Sequence, residues 1–330
     1  MMIRFVKKCV IVVMVLTIAA AVGFSKDKKG KKDLPKKEAI RVKNTIDGKE
    51  QPSYLYVPPG AEGRKGKPVP LLVQLHSWGS RMYLPDATLR ECVKRRWAVI
   101  GPHYRGGNTK PSACASEVAM QDVLDAVAHV CKRFNIDKNR IYVMGASGGG
   151  HMTMAMVARA PQLWAGASEW VGISDLFKWH AYCKAKNNGY DKKMEACCGG
   201  APGTSKEVDE QYRKRSPIFH LSKAKGVPFD FNHGHLDGAI PPSESINAFN
   251  VLAKANGRAK NQVPEKLIEH IDKKRKIPPE LAKEKVSEKG RKHKILFRRE
   301  AGPVRITIFK GGHSGDFPTG IEWLSKQKKE

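Results

Sequence analysis

The chain has 330 residues, of which 60 are Lys or Arg and 32 are Asp or Glu, so its formal net charge is +28 at pH 7. With 41% hydrophobic residues it has enough apolar material for one sizeable core, and its mean hydropathy of −0.47 argues against a polytopic membrane protein. Its 30 glycines and 20 prolines follow no short period, which excludes collagen-like and low-complexity proteins. No longer repeat is present that would predict a solenoid or a propeller.

Residues 1–25 have the pattern of a secretory signal peptide. Three cations precede an almost wholly apolar run at 9–24, and the alanines at 19–21 provide a small-residue cleavage pattern. The lysine-rich residues 26–39 are predicted to be a disordered tether. We therefore expect a secreted or periplasmic protein that has no membrane segment after signal removal. An uncleaved membrane anchor is the alternative.

Six cysteines remain once the signal segment is removed. An even number of cysteines in an exported chain predicts disulfides, but the sequence leaves their pairing open. No Cys-x-x-Cys pair with a suitable histidine spacing is present, so no zinc site is predicted. The six cysteines are Cys92, Cys114, Cys131, Cys183, Cys197 and Cys198.

From residue 40 onward, strand patterns come first and then alternate with helix patterns. Two strands, at 40–45 and 53–57, flank the hairpin signal Asp47-Gly48. Later apolar runs have the length of buried strands, and the segments between them have helical periodicity. The later strands are predicted at 69–75, 97–102, 140–144, 166–171, 227–232 and 304–309, and the helices at 87–96, 117–134, 151–160 and 243–255. This order predicts an α/β fold with a mostly parallel central sheet and helices on both faces.

Two segments interrupt the alternation of strands and helices. Residues 177–217 are polar, aromatic and cysteine-containing, and we expect them to form a small cap over the sheet. Residues 254–299 form a basic insertion before the last strand, with a helix expected near 265–271. Both segments lie within one continuous α/β pattern, so residues 40–330 are predicted to form a single domain.

The strongest chemical motif is Gly145-Ala146-Ser147-Gly148-Gly149, which fits the G-x-S-x-G nucleophile elbow. A predicted strand precedes it and a predicted helix follows it, as the motif requires. Ser147 is the candidate nucleophile, and the backbone N–H of Gly148 is a candidate oxyanion donor at the positive end of that helix. A glycine-rich phosphate loop is the alternative, but the motif lacks the Lys-Ser/Thr ending of a P-loop.

A serine hydroxyl needs a histidine base and a carboxylate that orients the base. Asp237 follows the predicted strand 227–232, and His313 follows the predicted strand 304–309. Loops at the carboxyl ends of parallel strands converge at one edge of a sheet, so both are expected to reach Ser147. Asp230 is a less favoured carboxylate, and a simple turn role for Asp237 is the alternative.

Further site residues are expected in the loops that follow the other strands. The second oxyanion donor is predicted to be the backbone N–H of Trp78 or, second, of Ser77, with the Tyr104 side chain as the alternative. The predicted mechanism requires no metal and no organic cofactor. The side chains predicted to line the substrate site are His76, Tyr104, His151 and His235.

These motifs together resemble the α/β-hydrolase superfamily and, within it, the catalytic domain of the prolyl oligopeptidase family and related secreted polysaccharide esterases. The likeness extends over residues 40–324. It implies Ser147 as nucleophile, Asp237 as acid and His313 as base. Two features depart from the family's peptidases: only the signal and tether precede the first strand, where those enzymes carry a β-propeller, and the basic insertion separates Asp237 from His313.

An open site without a propeller favours esters over peptides. We therefore expect an exported carboxylic ester hydrolase that removes acetyl or feruloyl groups from polysaccharide, by acylation of Ser147 and deacylation by water. One alternative is a prolyl oligopeptidase-like serine peptidase. Another is a non-catalytic polyanion-binding protein with a vestigial elbow.

The positive charge predicts attraction to anionic polymers through the basic surface. Acidic or sulfated polysaccharides, phosphate polymers and nucleic acids all belong to this class. Aromatic residues are sparse in 254–299, so base stacking has little support and no specific nucleic-acid partner is predicted. A merely solubilising surface is the alternative.

Overall fold

The computed structural model of the chain describes residues 34–63, 66–79 and 83–330. The predicted signal peptide at 1–25 and most of the predicted tether lie outside the described residues. The last two tether residues belong to a strand that begins at Glu38. Among the described residues, no helix combines the length and the hydrophobicity needed to cross a membrane.

Nine strands of the described chain form a single sheet in the order β1-β2-β4-β3-β5-β6-β7-β9-β8. Neighbouring strands are parallel along the central run β4-β3-β5-β6-β7-β9. The pairs β1-β2, β2-β4 and β9-β8 are antiparallel. The strands are β1 (Glu38–Lys43), β2 (Glu50–Tyr56), β3 (Val69–Leu75), β4 (Ala98–Pro102), β5 (Ile136–Ala146), β6 (Gly166–Trp170), β7 (Phe229–Gly234), β8 (Ile295–Ala301) and β9 (Val304–Phe309). The predicted mostly parallel sheet is confirmed.

Ten α-helices of the described residues accompany the sheet. Every residue of β3, β7 and β9 is buried, so both faces of the sheet are covered there, as expected of parallel strands between helical layers. The helices are α1 (Asp86–Arg95), α2 (Glu117–Arg133), α3 (Gly148–Arg159), α4 (Leu176–Lys186), α5 (Tyr190–Cys198), α6 (Lys206–Arg215), α7 (Ser243–Ala255), α8 (Glu265–Lys274), α9 (Pro279–Ala282) and α10 (Phe317–Leu324).

The cap segment contains α4, α5 and α6, and it has an apolar cluster of its own. Trp179, Met194 and Tyr212 are buried in this cluster together with Trp78, which lies in the loop after β3. The cap is therefore anchored on a loop that the sequence places at the candidate site.

The basic insertion contains α8, α9 and the strand β8. The helix expected near 265–271 is confirmed as α8. β8 was not predicted, because the charged run Arg298-Arg299-Glu300 interrupts its apolar pattern. Its partner β9 supplies the buried face against which these residues align.

The structure gives no support to the predicted disulfides. All six cysteines of the described residues are free thiols, and five of them are buried. Four share the apolar cluster of the cap, where a thiol packs as a small apolar side chain. Burial raises the pKa of the Cys92 thiol far above its usual range, which keeps that thiol protonated.

Candidate active site

Ser147 occupies a strained turn at the centre of the sheet. β5 ends at Ala146 and α3 begins at Gly148, so Ser147 is the single residue between strand and helix. Its φ of 58° and ψ of −122° are rarely adopted by a residue with a side chain. The turn is held by a hydrogen bond of 2.8 Å from the Ser147 amide to the Trp170 carbonyl of β6. The half-buried serine has the backbone geometry of a nucleophile elbow.

The glycines around Ser147 allow the backbone to approach closely. A Cβ on Gly145 would lie 2.5 Å from the carbonyl group of Gly149, and one on Gly148 would lie 2.4 Å from the amide nitrogen of Trp78. The loop after β3 therefore packs directly against the elbow. Among the described residues, no acceptor takes the amides of Gly148 and Trp78. Two free backbone amides beside the nucleophile are what an oxyanion hole requires.

The carboxylate of Asp237 is completely buried; it accepts three hydrogen bonds and has a close contact with a fourth donor group, the His233 ring. Its Oδ1 accepts from the amides of Ala239 at 2.9 Å and Ile240 at 3.0 Å. Its Oδ2 lies 2.7 Å from Nδ1 of His313 and 3.3 Å from Nε2 of His233. Burial opposes ionisation, but the two neighbouring imidazoles outweigh it and hold the pKa of Asp237 well below its usual range. Asp237 is therefore an ionised partner for His313, whose side chain is 34% exposed.

The loop that carries His313 contacts two other segments. One is the loop after β7 that carries Asp237, which we call the acid loop, and the other is the elbow at Ser147. The carbonyl of Gly311 accepts the amide of Leu236 at 2.9 Å. A Cβ on Gly315 would lie 3.5 Å from the Cβ of Ala146, the residue before Ser147. The three segments that carry the predicted nucleophile, acid and base thus meet at the carboxyl edge of the sheet, as expected from their positions after β5, β7 and β9.

Two side chains predicted to line the substrate site are instead buried beneath it. Tyr104 donates its hydroxyl to the His76 carbonyl at 2.6 Å, and the two rings stack with centroids 3.8 Å apart. Both ring nitrogens of His76 lie against carbonyl oxygens, those of Ser77 and His103. We correct the prediction for this pair: their polar atoms hold the loop after β3, so Tyr104 is not available as an oxyanion donor.

The other two predicted lining residues also contact the backbone. His151 is buried in α3, and its Nδ1 lies 3.0 Å from the Ile173 carbonyl. Burial lowers the pKa of His151 to about 4, so this ring is neutral at pH 7. His235 is half-buried, with Nδ1 3.2 Å from the Phe309 carbonyl, which ties the acid loop to the end of β9. Among the described residues, no group of three or more His, Cys, Asp or Glu side chains is placed to hold a metal ion.

Residues of the cap and of the insertion fasten the acid loop, a role that the sequence did not reveal. Trp179 of α4 donates its indole N–H to the Ala239 carbonyl at 3.0 Å. Tyr182 of α4 donates its hydroxyl to the Gly238 carbonyl at 2.9 Å. Arg275, at the end of α8, donates to the Asp237 carbonyl and lies 3.4 Å from the Tyr182 hydroxyl. The cap and the insertion therefore meet at the loop that carries the acid.

The model of the prolyl oligopeptidase family matches residues 92–278, which is more than half of the chain. The chain belongs to the prolyl oligopeptidase family. The match includes Ser147 and Asp237 and ends before His313, so the assignment of the base in this family member depends on the geometry at Asp237.

Curated proteins similar to this family member include peptidases and an esterase. The acylamino-acid-releasing enzyme of Arabidopsis thaliana is 28% identical over 217 residues, 60% of this chain and 27% of that enzyme. Feruloyl esterase B of Neurospora crassa is 25% identical over 147 residues, 43% of this chain and 48% of the esterase. This chain therefore matches only part of the length of either relative.

A solved structure with the same fold is the acylaminoacyl peptidase of Pyrococcus horikoshii. It superposes with a TM-score of 0.62 at 18% sequence identity, over 90% of this chain and 42% of that enzyme. This likeness supports the α/β-hydrolase fold of the prolyl oligopeptidase family member.

Substitution of Gly148 by alanine tests the oxyanion geometry. The new Cβ would displace the Trp78 amide, so we expect kcat for p-nitrophenyl acetate to fall about 10²-fold to 10³-fold, the usual effect of losing an oxyanion donor. Gly79→Ala is the matched control, because its Cβ meets no atom within 4 Å among the described residues. Steady-state kinetics of both variants, with thermal unfolding as a check on folding, make the comparison. If Gly148→Ala kept the same kcat as Gly79→Ala and the parent, the assigned oxyanion hole would be contradicted.

Substitution of Arg275 by methionine tests the attachment of the insertion to the acid loop. Methionine retains an apolar stem but cannot donate to the Asp237 carbonyl, so we expect kcat to fall about tenfold through loss of alignment of the acid. The neighbouring exposed Lys274, substituted by methionine, serves as the control for lost positive charge and should retain the parent kcat. Ester turnover by the two variants is the measurement. A loss common to both would mean that charge, and not the contact, is what matters.

Proposed function

We propose that the protein is an exported serine hydrolase that cleaves carboxylic esters, namely acetyl or feruloyl groups on polysaccharide. The observation that carries the hydrolase chemistry is the 2.7 Å contact between Asp237 and His313, in a loop packed beside the strained turn at Ser147. A buried ionised carboxylate, an imidazole with one exposed side and a serine at an elbow are the components of a catalytic triad.

In the proposed reaction, His313 Nε2 accepts the Ser147 hydroxyl proton while Oγ attacks the ester carbonyl carbon. The oxyanion that forms accepts hydrogen bonds from the amides of Gly148 and Trp78. When the tetrahedral intermediate collapses, the alcohol leaves with the proton from His313 and an acyl-serine remains. A water molecule that gives its proton to His313 then attacks the acyl group. The second tetrahedral intermediate collapses, the bond between the acyl carbon and Oγ breaks, His313 returns the proton to Oγ, and the carboxylic acid is released.

Aromatic residues beside the oxyanion loop support a substrate with an apolar or aromatic acyl group. The Trp78 ring packs edge-on against Trp179, with centroids 4.7 Å apart, and against Tyr190, with centroids 6.2 Å apart. Because the Trp78 amide is a proposed oxyanion donor, this aromatic cluster is continuous with the reacting centre. Trp78 and Trp179 are buried, so the half-buried Tyr190 is the ring of these three that offers a surface for stacking with a ring such as that of a feruloyl group.

Positive charges at the rim of this cluster disfavour the free amino terminus of a peptide. Lys193 Nζ lies 4.5 Å from the ring centre of Tyr190, and Lys186 Nζ lies 5.8 Å from that of Tyr182. Arg275 adds a third cation next to Tyr182. Like charges repel, so these groups favour neutral substrates and acidic polysaccharides over a protonated amine.

The second candidate function is release of an N-acylated amino acid from a blocked peptide. The similarity to acylamino-acid-releasing enzymes favours it, since a blocked amino terminus carries no positive charge to be repelled at the rim. It uses the same acyl-enzyme chemistry at Ser147, so only substrate comparison separates the two.

Two parts of the proposal rest on the sequence. Export rests on the signal pattern of residues 1–25. Binding of an anionic polymer rests on the net charge of +28. The insertion contributes to that charge mainly through its lysines, because Arg291, Arg298 and Arg299 form ion pairs with glutamates.

A substrate panel tests the proposed function. We expect turnover of p-nitrophenyl acetate and methyl ferulate to exceed turnover of N-acetylalanine anilide, and we expect Gly-Pro anilide to be the slowest substrate because the cations at the rim repel its protonated amine. Ser147→Ala should reduce ester turnover by at least about 10³-fold, as removal of a triad nucleophile does. The surface variant Ser222→Ala should match the parent. Faster cleavage of N-acetylalanine anilide would favour the second candidate, and equal ester turnover in Ser147→Ala would overturn the hydrolase assignment.

A further inference from the structure

His233 is a second imidazole on the carboxylate of Asp237. It lies at the end of β7, and its side chain is completely buried. Its Nε2 is 3.3 Å from Oδ2 of Asp237, the same oxygen that contacts His313. His233 and Asp237 belong to the same sequence motif. The motif does not reveal the role of His233, because that role depends on the direction of its side chain, which only the fold determines.

The surroundings of His233 fix which ring nitrogen carries a proton. Nε2 faces two acceptors, the Ile240 carbonyl at 3.1 Å and the Asp237 carboxylate. Nδ1 lies 2.7 Å from Oγ of Ser245 in α7, and a hydroxyl can donate or accept. Nε2 therefore carries a proton whether the ring is neutral or protonated. This N–H donates to the Ile240 carbonyl and also lies beside Oδ2 of Asp237.

The electrostatic environment supports this donor role. Burial opposes protonation of His233, but the adjacent Asp237 carboxylate and the charge of Glu169 outweigh it and raise the pKa of His233. Glu169 of β6 is itself fully buried, and burial raises its pKa to about 7. The ring thus interacts with two buried acids and is held in place by Ser245.

We propose that His233 is a positioning residue for the reaction: its Nε2–H fixes Oδ2 of Asp237 in the orientation that aligns His313. This inference rests on the proposed function, in which Asp237 and His313 act on Ser147. Three hydrogen bonds and the contact with His233 surround the Asp237 carboxylate, two on each oxygen, so one orientation of the carboxylate satisfies all of them. Without His233, Oδ2 keeps only the bond to His313, which is partly exposed.

The conservative pair His233→Gln and His233→Asn separates alignment from general stability. The glutamine amide can reach the position of Nε2 and donate to Asp237, whereas the asparagine amide reaches only the position of Nδ1, beside Ser245. With p-nitrophenyl acetate, we expect His233→Gln to keep kcat within about fivefold of the parent. We expect His233→Asn to lose about 10-fold to 100-fold in kcat, with KM within about threefold, because misplacement affects the chemical step.

A buried histidine elsewhere provides the matched control. His180 of α4 is buried and bonds to Glu195 at 3.0 Å, so His180→Asn also breaks a buried histidine–carboxylate contact. It should keep the parent kcat. Circular dichroism and thermal unfolding establish that each variant is folded. If the His233 variants do not fold, Ser245→Ala, which removes the partner of Nδ1, should lower kcat with KM unchanged; a parent-like kcat in that variant would overturn the inference.

The outcomes separate this inference from the proposed function. Parent turnover that survives Ser147→Ala would overturn the proposed function. Turnover that depends on Ser147 but is equal in His233→Gln and His233→Asn would overturn the positioning role alone. A fall in kcat that tracks the fall in thermal stability across all variants, His180→Asn included, would also count against it.

Discussion

The candidate site depends on the interactions of one buried group, the carboxylate of Asp237. An ionised group without water is costly unless its hydrogen bonds are made. Here two backbone amides and the His313 imidazole make them, and the His233 imidazole lies 3.3 Å from Oδ2. Because the carboxylate remains ionised and has one orientation, Nδ1 of His313 has a fixed acceptor. The opposite side of that ring is then free to accept the proton of Ser147 in the proposed reaction.

The remainder of the fold brings this carboxylate to the nucleophile and keeps it there. The parallel strands β5, β7 and β9 deliver Ser147, Asp237 and His313 to one edge of the sheet. Loops at such an edge are held only by local contacts, so the cap and the basic insertion add restraints from outside the sheet. Tyr182 and Arg275 supply them, through the carbonyls of the acid loop. The insertion therefore has a structural part in the site besides its positive charge.

The sequence was sufficient where a local pattern determines the structure. The elbow has an explicit motif. The positions of Asp237 and His313 after predicted strands indicated the edge of the sheet at which the structure has their loops. Tertiary packing decided the rest. His76 and Tyr104 follow strands as site residues do, yet their side chains turn into the protein interior. Nothing in the basic stretch 254–299 distinguishes Arg275 from its neighbours, because its contact with the acid loop depends on how α8 ends.

The most direct test of the account is proton NMR of the imidazole hydrogen shared by His313 and Asp237. We expect a resonance far downfield of the amide region, because Nδ1 and Oδ2 are 2.7 Å apart around a buried carboxylate. It should be absent in Asp237→Asn and should shift when a fluorophosphonate modifies Ser147. A resonance that is missing in the parent, or that does not respond to modification of the serine, would contradict the claim that these three groups act as one unit.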